Sequence, residues 1–436
     1  MKQLLIGTLI CVFVFAACDI AVLGTVPVDD ISGSNNDDPN INPTIDPPTI
    51  DPQTIALWAF PVVTELWEPV EYTNDEDITV TDAYLIDNWR QLQYIGENFT
   101  TNADLLEHTY YLTADITFPS RVDTDVPDTH KSDSYTKDGF VPIGFDSLPF
   151  TGNFDGQGFA ITNISIIQNI NNKDDYYSNR YVGLFGSISG TTPVIQNLTL
   201  RNAQVTGGNN VGILVGFASH AIVKRIIIEG GSVQGEEAVG GLIGKSSDST
   251  VSHSSASASI SGMNNVGGLI GGAENTTIEL NYATGDVTGA NNTGGLIGSA
   301  YRAKVENNYS LGTVNSPGTR TGGLIAIAQI TEITTNYSRS EVLGAIDVGG
   351  LIGYTNNAPL VNNFWDISAN SGTPPSNSYP TSGVGSPLSN MSNPGAAPLT
   401  SPTAASFTGF TFGSTTEGWN TPADGEWPTL YWQEEN

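Results

Sequence analysis

One six-residue phrase recurs along this chain at nearly constant spacing, and that spacing limits what the chain can fold into more than any other feature. It reads Val-Gly-Gly-Leu-Ile-Gly at 239–244, 266–271 and 348–353, and Thr-Gly-Gly-Leu-Ile-Gly at 293–298. Looser copies stand at 181–186, 211–216 and 321–326. The last residues of the seven copies are Gly186, Gly216, Gly244, Gly271, Gly298, Ala326 and Gly353, with steps of 30, 28, 27, 27, 28 and 27 residues. A fixed period of this length marks a repeat architecture, in which each unit buries its apolar face only by stacking on its neighbours.

Other columns keep the same beat. A β-branched column runs Val205, Val233, Ile260, Val287, Val314 and Val342, and a second runs Val211, Val239, Val266, Thr293, Thr321 and Val348. A third is aromatic, Tyr282, Tyr309, Tyr337 and Phe364, each preceded by an asparagine, Asn281, Asn308, Asn336 and Asn363. Each unit holds three short β-rich runs separated by Gly or Asn, and none has the length or spacing of a helix. The expected fold is all-β: a right-handed parallel β-helix of about seven coils of 27–30 residues, with a small N-terminal α+β cap. Coils stacked about 4.8 Å apart place each residue on its equivalent one period later, so like side chains form ladders.

The glycine pair invites two readings. An anion-cradling loop needs a following helix or a nearby lysine, and neither recurs. A bend or bulge, where φ is positive and length varies, suits the copy that is one glycine short and the copy with Ile213. Period-two alternation then leaves Val239 and one branched residue of the phrase facing the core.

Outside the repeats the chain changes character. Residues 1–17 have the parts of a secretory signal: Lys2, an apolar run from Leu4 to Phe15, then Ala16 and Ala17 before Cys18. Ending in Phe-Ala-Ala-Cys, the segment resembles the lipobox of bacterial lipoproteins, which implies lipidation of Cys18 and a membrane partner through that anchor. Cys11 leaves with the signal, so no thiol pair remains for a disulfide or a metal. Residues 18–56, rich in Pro and Asp and devoid of Lys and Arg, read as a disordered tether. Residues 57–166 form the cap region leading into the solenoid, with a helix at Asn88–Asn98 and a strand at Thr109–Phe118. Repeats fill 167–368, a Pro/Ser/Gly-rich loop 369–406, and a C-terminal cap 407–436, in which Trp419, Trp427, Tyr431 and Trp432 would close the end of the stack.

The repeated phrase resembles the GLUG motif of bacterial surface proteins, found in adhesin-like repeats and beside some secreted peptidase domains. Phe140–Ile166 resembles the segment that precedes such repeats, while Asn362–Ser368 and Glu417–Trp432 resemble their ending. The resemblance implies architecture and a surface location, and brings no shared catalytic motif.

A net charge of −30, with 45 acidic and 15 basic residues, opposes direct binding to nucleic acid or anionic lipid. Of those acids 25 lie between Asp19 and Asp146. The histidines, His108, His130, His220 and His253, show no ligand spacing, and neither a zincin motif nor a nucleophile elbow is present. Glu236–Glu237 and Asn74–Thr79 read as solvated turn charge. The acidic turns Asn153–Gly158 and Asp123–Asp128 offer oxygens for weak structural calcium at most, and no other cofactor is expected. The leading functional expectation is a monomeric, exported, lipid-anchored protein of the cell surface or outer membrane, presenting a β-helix face to a glycan or to a surface or host protein without catalysis. A polysaccharide-acting β-helix enzyme, which would gather several charged groups in one groove, and a structural envelope component are the alternatives.

Overall fold

A computed structural model describes residues 69–74, 79–98, 100, 102–119, 139–168, 180–370, 384–387, 396–399, 402–413 and 418–434. All of these fall in the second of two units, Ile50–Asn436. The signal, Cys18, the tether, Asp123–Asp128 and His130 lie outside the described residues.

The second unit is a β-solenoid of about nine turns. Each turn contributes to three parallel sheets. The first face begins at Ser165–Ile167 and continues through Gln204–Thr206, Ser232–Gln234, Ser259–Gly267, Val287–Gly294 and Thr313–Gly322 to Glu341–Gly349. The second face is an eight-stranded stack: Phe185–Ile188, Val215–Ser219, Ile243–Ser247, Ile270–Glu274, Ile297–Tyr301, Ile325–Gln329, Ile352–Asn356 and Val384–Pro387. The third face includes Val194–Arg201, Ile222–Glu229 and, in later coils, paired short strands such as Thr277–Glu279 and Tyr282–Ala283. The turns outnumber the seven phrases because coils without the phrase also stack. Asn153–Asp155 pairs with Val194–Arg201 at one end, while Val384–Pro387 and Ala396–Leu399 pair with Ile352–Asn356 and Asn363–Asp366 at the other.

The columns seen in the sequence are the observed registers. Val205 pairs with Val233, Val233 with Ile260, and the series continues through Val287 and Val314 to Val342. The second column pairs from Val211 to Val348 in the same way. Apart from Val348, which is half-buried, these side chains fill the interior at 0–2% exposure, and burying an aliphatic one contributes about 1.5–3 kcal/mol before entropy is counted.

The glycine pair does mark the corner between the first and second faces, but its φ values are not positive. The left-handed residue at that corner is the one before the β-branched position: Asn210, Ala238, Asn265, Asn292, Arg320 and Asp347, with φ between 49° and 60°. Close approach selects the second glycine. A Cβ on Gly241, Gly268, Gly295 or Gly323 would lie 2.0–2.2 Å from the carbonyl oxygen of the glycine one coil on. The bend also changes which side chains point inward. Val239, Leu242 and Ile243 are all fully buried, where alternation had allowed Val239 only one companion, because strand geometry is interrupted at Gly241–Leu242.

Two further left-handed columns turn the coil. His220, Asp248, Asn275, Arg302, Ile330 and Asn357 lie between the second and third faces, and Asn197, Arg225, His253, Leu280, Asn307, Thr335 and Asn362 lie within the third. Just inside this last kink stand Asn281, Asn308, Asn336 and Asn363, each with no exposed surface. Each accepts the backbone N–H of its counterpart one coil earlier, from Ser254 N–H to Asn281 Oδ1 at 2.9 Å through to Asn336 N–H to Asn363 Oδ1 at 3.0 Å. Their amide nitrogens donate to carbonyls at the kink, such as Nδ2 of Asn308 to Glu306 O at 2.8 Å and to Ile278 O at 2.9 Å. Buried backbone that a kink would orphan is thereby satisfied.

The N-terminal elements extend the third face. Val70–Thr73 pairs antiparallel with Thr79–Ile86, which pairs parallel with Thr109–Leu112. The expected helix is α1, Trp89–Asn98, with Trp89, Leu92 and Ile95 buried. Its start is a capping box: Asn88 Oδ1 accepts from the backbone of Arg90 and Gln91, and Gln91 Oε1 accepts from the Asn88 N–H. The strand expected at Thr109–Phe118 breaks into Thr109–Leu112 and Ile116–Thr117.

The aromatic residues near the C-terminus lie against the flank of the coils, not over the last one. Tyr282, Tyr309 and Tyr337 stack with centroids 4.9–5.0 Å apart and planes within 7°. Phe407, Phe410, Trp419, Trp427, Leu430 and Trp432 form one buried cluster with Leu280, Tyr309, Tyr337 and Phe364. Trp432 Nε1 donates to Leu280 O at 3.0 Å, Trp419 Nε1 to Asn307 Oδ1 at 3.1 Å, and Tyr337 Oη to Pro428 O at 2.6 Å. Burial first, and then the neighbouring tyrosine of the stack, raises the Tyr309 and Tyr337 phenol pKa values well above their ordinary value.

Candidate functional site

On the outside of the second face, the residue following the phrase forms a column whose members share no chemistry: Phe217, Lys245, Gly272, Ser299, Ile327 and Tyr354, in register from coil to coil. The adjoining left-handed corner carries Asn210, Ala238 and Asn265. Both columns drop to a small side chain at the same height. A Cβ on Gly272 would meet only Lys245 Cγ at 3.8 Å and Ala238 Cβ at 4.0 Å. The result is an open groove of about 410 Å³ lined by Arg180, Tyr181, Phe217, Lys245, Glu274 and Tyr301, with the amides of Asn209, Asn210 and Asn265, the carboxylate of Glu237 and a floor of Gly272 and Ser299.

Its walls are ordered by ring contacts. Tyr181 and Phe217 pack at 5.6 Å, with the Arg180 guanidinium 5.7 Å from the Tyr181 ring. At the other end the Arg302 guanidinium lies 4.9 Å from the ring of Tyr301. Lys245 Nζ is 3.7 Å from Glu274 Oε2. The groove thus holds two cations and two carboxylates in a chain that is otherwise strongly acidic. Further along, Arg320 lies over Tyr354 at 5.1 Å. Arg302 and Arg320 occupy different repeat positions, yet they flank opposite corners of this one face.

The residues singled out from the sequence are placed as follows. The phrase glycines Gly186, Gly216, Gly244, Gly271, Gly298 and Gly353 lie in the second-face strands, and a Cβ on any of them would meet backbone of a preceding segment at 2.2–2.8 Å. Asn281, Asn308, Asn336 and Asn363 form the interior ladder, and Tyr282, Tyr309, Tyr337 and Phe364 lie under the C-terminal segment. Asp155, in the turn considered for calcium, accepts from Gln157 N–H, Gln196 Nε2 and Asn197 Nδ2 at 2.7–3.0 Å. His108 faces Asp82 at 3.2 Å, His220 lies beside Ser219, and His253 contacts Tyr431. Among the described residues no group of three or more His, Cys, Asp or Glu is placed to hold a metal ion, and no helix is long and apolar enough to cross a membrane. The groove was missed in the sequence; the irregular residue after an otherwise uniform phrase was the signal for it.

Fold and repeat define a parallel β-helix built from GLUG-type coils. The family model for the GLUG motif matches residues 235–261. Halomucin of Haloquadratum walsbyi is 36% identical over 185 residues, which are 42% of this chain and 2% of that protein. An immunoglobulin A1 protease of Streptococcus sanguinis is 28% identical over 165 residues, 36% of this chain and 7% of that protein. The chain therefore corresponds to a small part of each. A Bacteroides ovatus crystal structure with a provisional immunoglobulin A1 protease assignment superposes with a TM-score of 0.47 at 15% identity, covering 83% of this chain and 94% of that one.

Proposed function

We propose that this chain is an exported surface protein, anchored through lipid on Cys18, that uses the flank of its β-helix to bind a glycan or a protein of a neighbouring surface. The groove on the second face is the observation that carries this reading: half-buried aromatic rings line it together with amides, outside the packed interior columns. The Pro/Asp-rich stretch before residue 57 would hold the coils away from the membrane. Full-length protein applied to a glycan and matrix-protein array, with and without calcium, tests the binding. No retained ligand under either condition would refute it. For the anchor, Cys18→Ala is expected to move the protein from the membrane to the soluble fraction; continued membrane partitioning would refute the lipid.

One observation favours a second reading, that of an enzyme acting on polysaccharide. Glu237 and Glu274 line the same groove, and hydrolysis of a glycosidic bond needs a pair of carboxylates across it. Glu274 is neutralised by Lys245, which suits orientation of a ligand better than acid–base chemistry. New reducing ends released from a bound oligosaccharide, and lost in Glu237→Gln, would decide for the enzyme.

A further inference from the structure

The second-face groove carries a more specific assignment, which rests on the surface-binding reading above. We infer that it is a binding subsite for a short stretch of neutral polysaccharide, lying along the stacking direction between the Tyr181–Phe217 pair and Tyr301.

Four features fix the chemical class. First, the rings at the two ends are half-buried and immobilised from one side, Tyr181 and Phe217 by each other and Tyr301 by Arg302. A pyranose ring offers an apolar face of C–H bonds and a rim of hydroxyls, and aromatic faces take up the former. Second, the lining between them is made of groups that both donate and accept: the amides of Asn209, Asn210 and Asn265 and the hydroxyl of Ser299. These match hydroxyls, which also do both. Third, the charges cancel. Arg180 and Lys245 are offset by Glu237 and Glu274, so the groove has no excess cation for a sulfated or carboxylated chain. The surrounding charge of −30 repels such a polyanion. Fourth, the size fits. From Phe217 through Lys245 and Gly272 to Ser299 the register advances three coils, roughly 14 Å at the usual strand spacing, enough for a few linked rings but too short for a folded protein partner.

The floor supplies a clean test. Gly272 is a strand residue without a positive φ, and a Cβ added there makes only ordinary van der Waals contact with Lys245 and Ala238. Gly272→Gln should therefore fill the groove and leave the coil intact. The full chain is titrated by calorimetry with cellohexaose, mannohexaose and chitohexaose, with heparin as the polyanion. Saturable binding of at least one neutral hexasaccharide is expected. It should be weakened about tenfold by Phe217→Ala or Tyr301→Ala, abolished by Gly272→Gln, and unchanged by Lys304→Ala on the third face. Three results would overturn the assignment: no neutral hexasaccharide binds, heparin alone binds, or Gly272→Gln binds as tightly as the parent. Array ligands retained by Gly272→Gln would sink this subsite while leaving the surface-binding reading in place. An array with no retained ligand would end both.

Discussion

The buried asparagine ladder gives the sharpest test of what holds the coils in register. Replacing Asn308 by alanine removes the acceptor for the backbone N–H and the side-chain amide of Asn281 at 2.9 and 3.1 Å. It also removes the amide donor to Ile278 O, Glu306 O and Asn336 Oδ1. At a position with no exposed surface, water cannot replace those partners without opening the coil. One orphaned buried donor costs about 1–3 kcal/mol and the small cavity adds to it, so Asn308→Ala should destabilise by about 3–4 kcal/mol. Ser254, in the same column, shows how a smaller residue manages: its hydroxyl accepts from Ile226 N–H at 3.1 Å and donates to Ser252 O at 2.9 Å. Asn308→Ser should therefore recover about half of the loss. Asn291, half-buried on the first face, donates to Asn264 Oδ1 and accepts from Thr319 N–H, each at 3.3 Å; it is the comparison, and with two long bonds within reach of water Asn291→Ala should cost about 1 kcal/mol at most. Urea unfolding followed by far-ultraviolet circular dichroism ranks the three variants. If Asn308→Ala costs no more than Asn291→Ala, or if serine does no better than alanine, the ladder does not hold the register.

Other outcomes follow from the same structure. Thr293 and Thr321 stand in a column of valines with hydroxyls that are fully buried and have no hydrogen-bond partner. Thr293→Val and Thr321→Val should each stabilise by about 1 kcal/mol in thermal unfolding; a loss of stability would mean those hydroxyls are satisfied. Ile330 holds φ 52° with 46% of its surface exposed. Ile330→Asn should gain about 1 kcal/mol by relieving left-handed strain, and no gain would show that the strain is absent. His253 lies 2.9 Å from Tyr431 Oη, and burial first, then Arg225 and Lys224, holds its pKa below the ordinary value. A depressed histidine pKa favours the neutral ring in the fold, so its contribution is fully present above about pH 6.5 and lost as pH falls below that value. Hydrogen-exchange protection factors in 418–434, corrected for the pH dependence of intrinsic exchange, should fall between pH 7.5 and pH 5.5 in the parent and respond less in His253→Gln; equal responses would clear His253 of the effect.

The period made most of this fold legible, because stacking forces each column to be chemically uniform wherever it packs. The two β-branched columns and the asparagine–tyrosine pair needed no structure to be seen. Corner geometry was harder to read. Positive φ was expected at the glycines, since glycine adopts it without strain, whereas the chain places Asn, Arg, Asp, Leu and even Ile there and keeps glycine where two backbones nearly touch. Close approach between coils is a tertiary fact with no local signature. The C-terminal aromatics lie along the flank of the coils, where the sequence suggests the end of the stack, because a sequence shows that aromatic side chains need cover and not which surface supplies it. The groove was least legible of all. It exists where Ala238 and Gly272, 34 positions apart, fall side by side, and only the register reveals that two small residues make one opening.

The C-terminal segment over the tyrosine column has a mechanical consequence. An array joined only through nearest neighbours frays from either end, one coil at a time. Here Phe407 through Trp432 contact the coils of Leu280, Tyr309, Tyr337 and Phe364 together, so these coils cannot peel away singly. Tension on the chain would have to detach this buttress before it could unwind the coils beneath. Under load along the stacking axis, the coils of Tyr309, Tyr337 and Phe364 would yield together and not one by one.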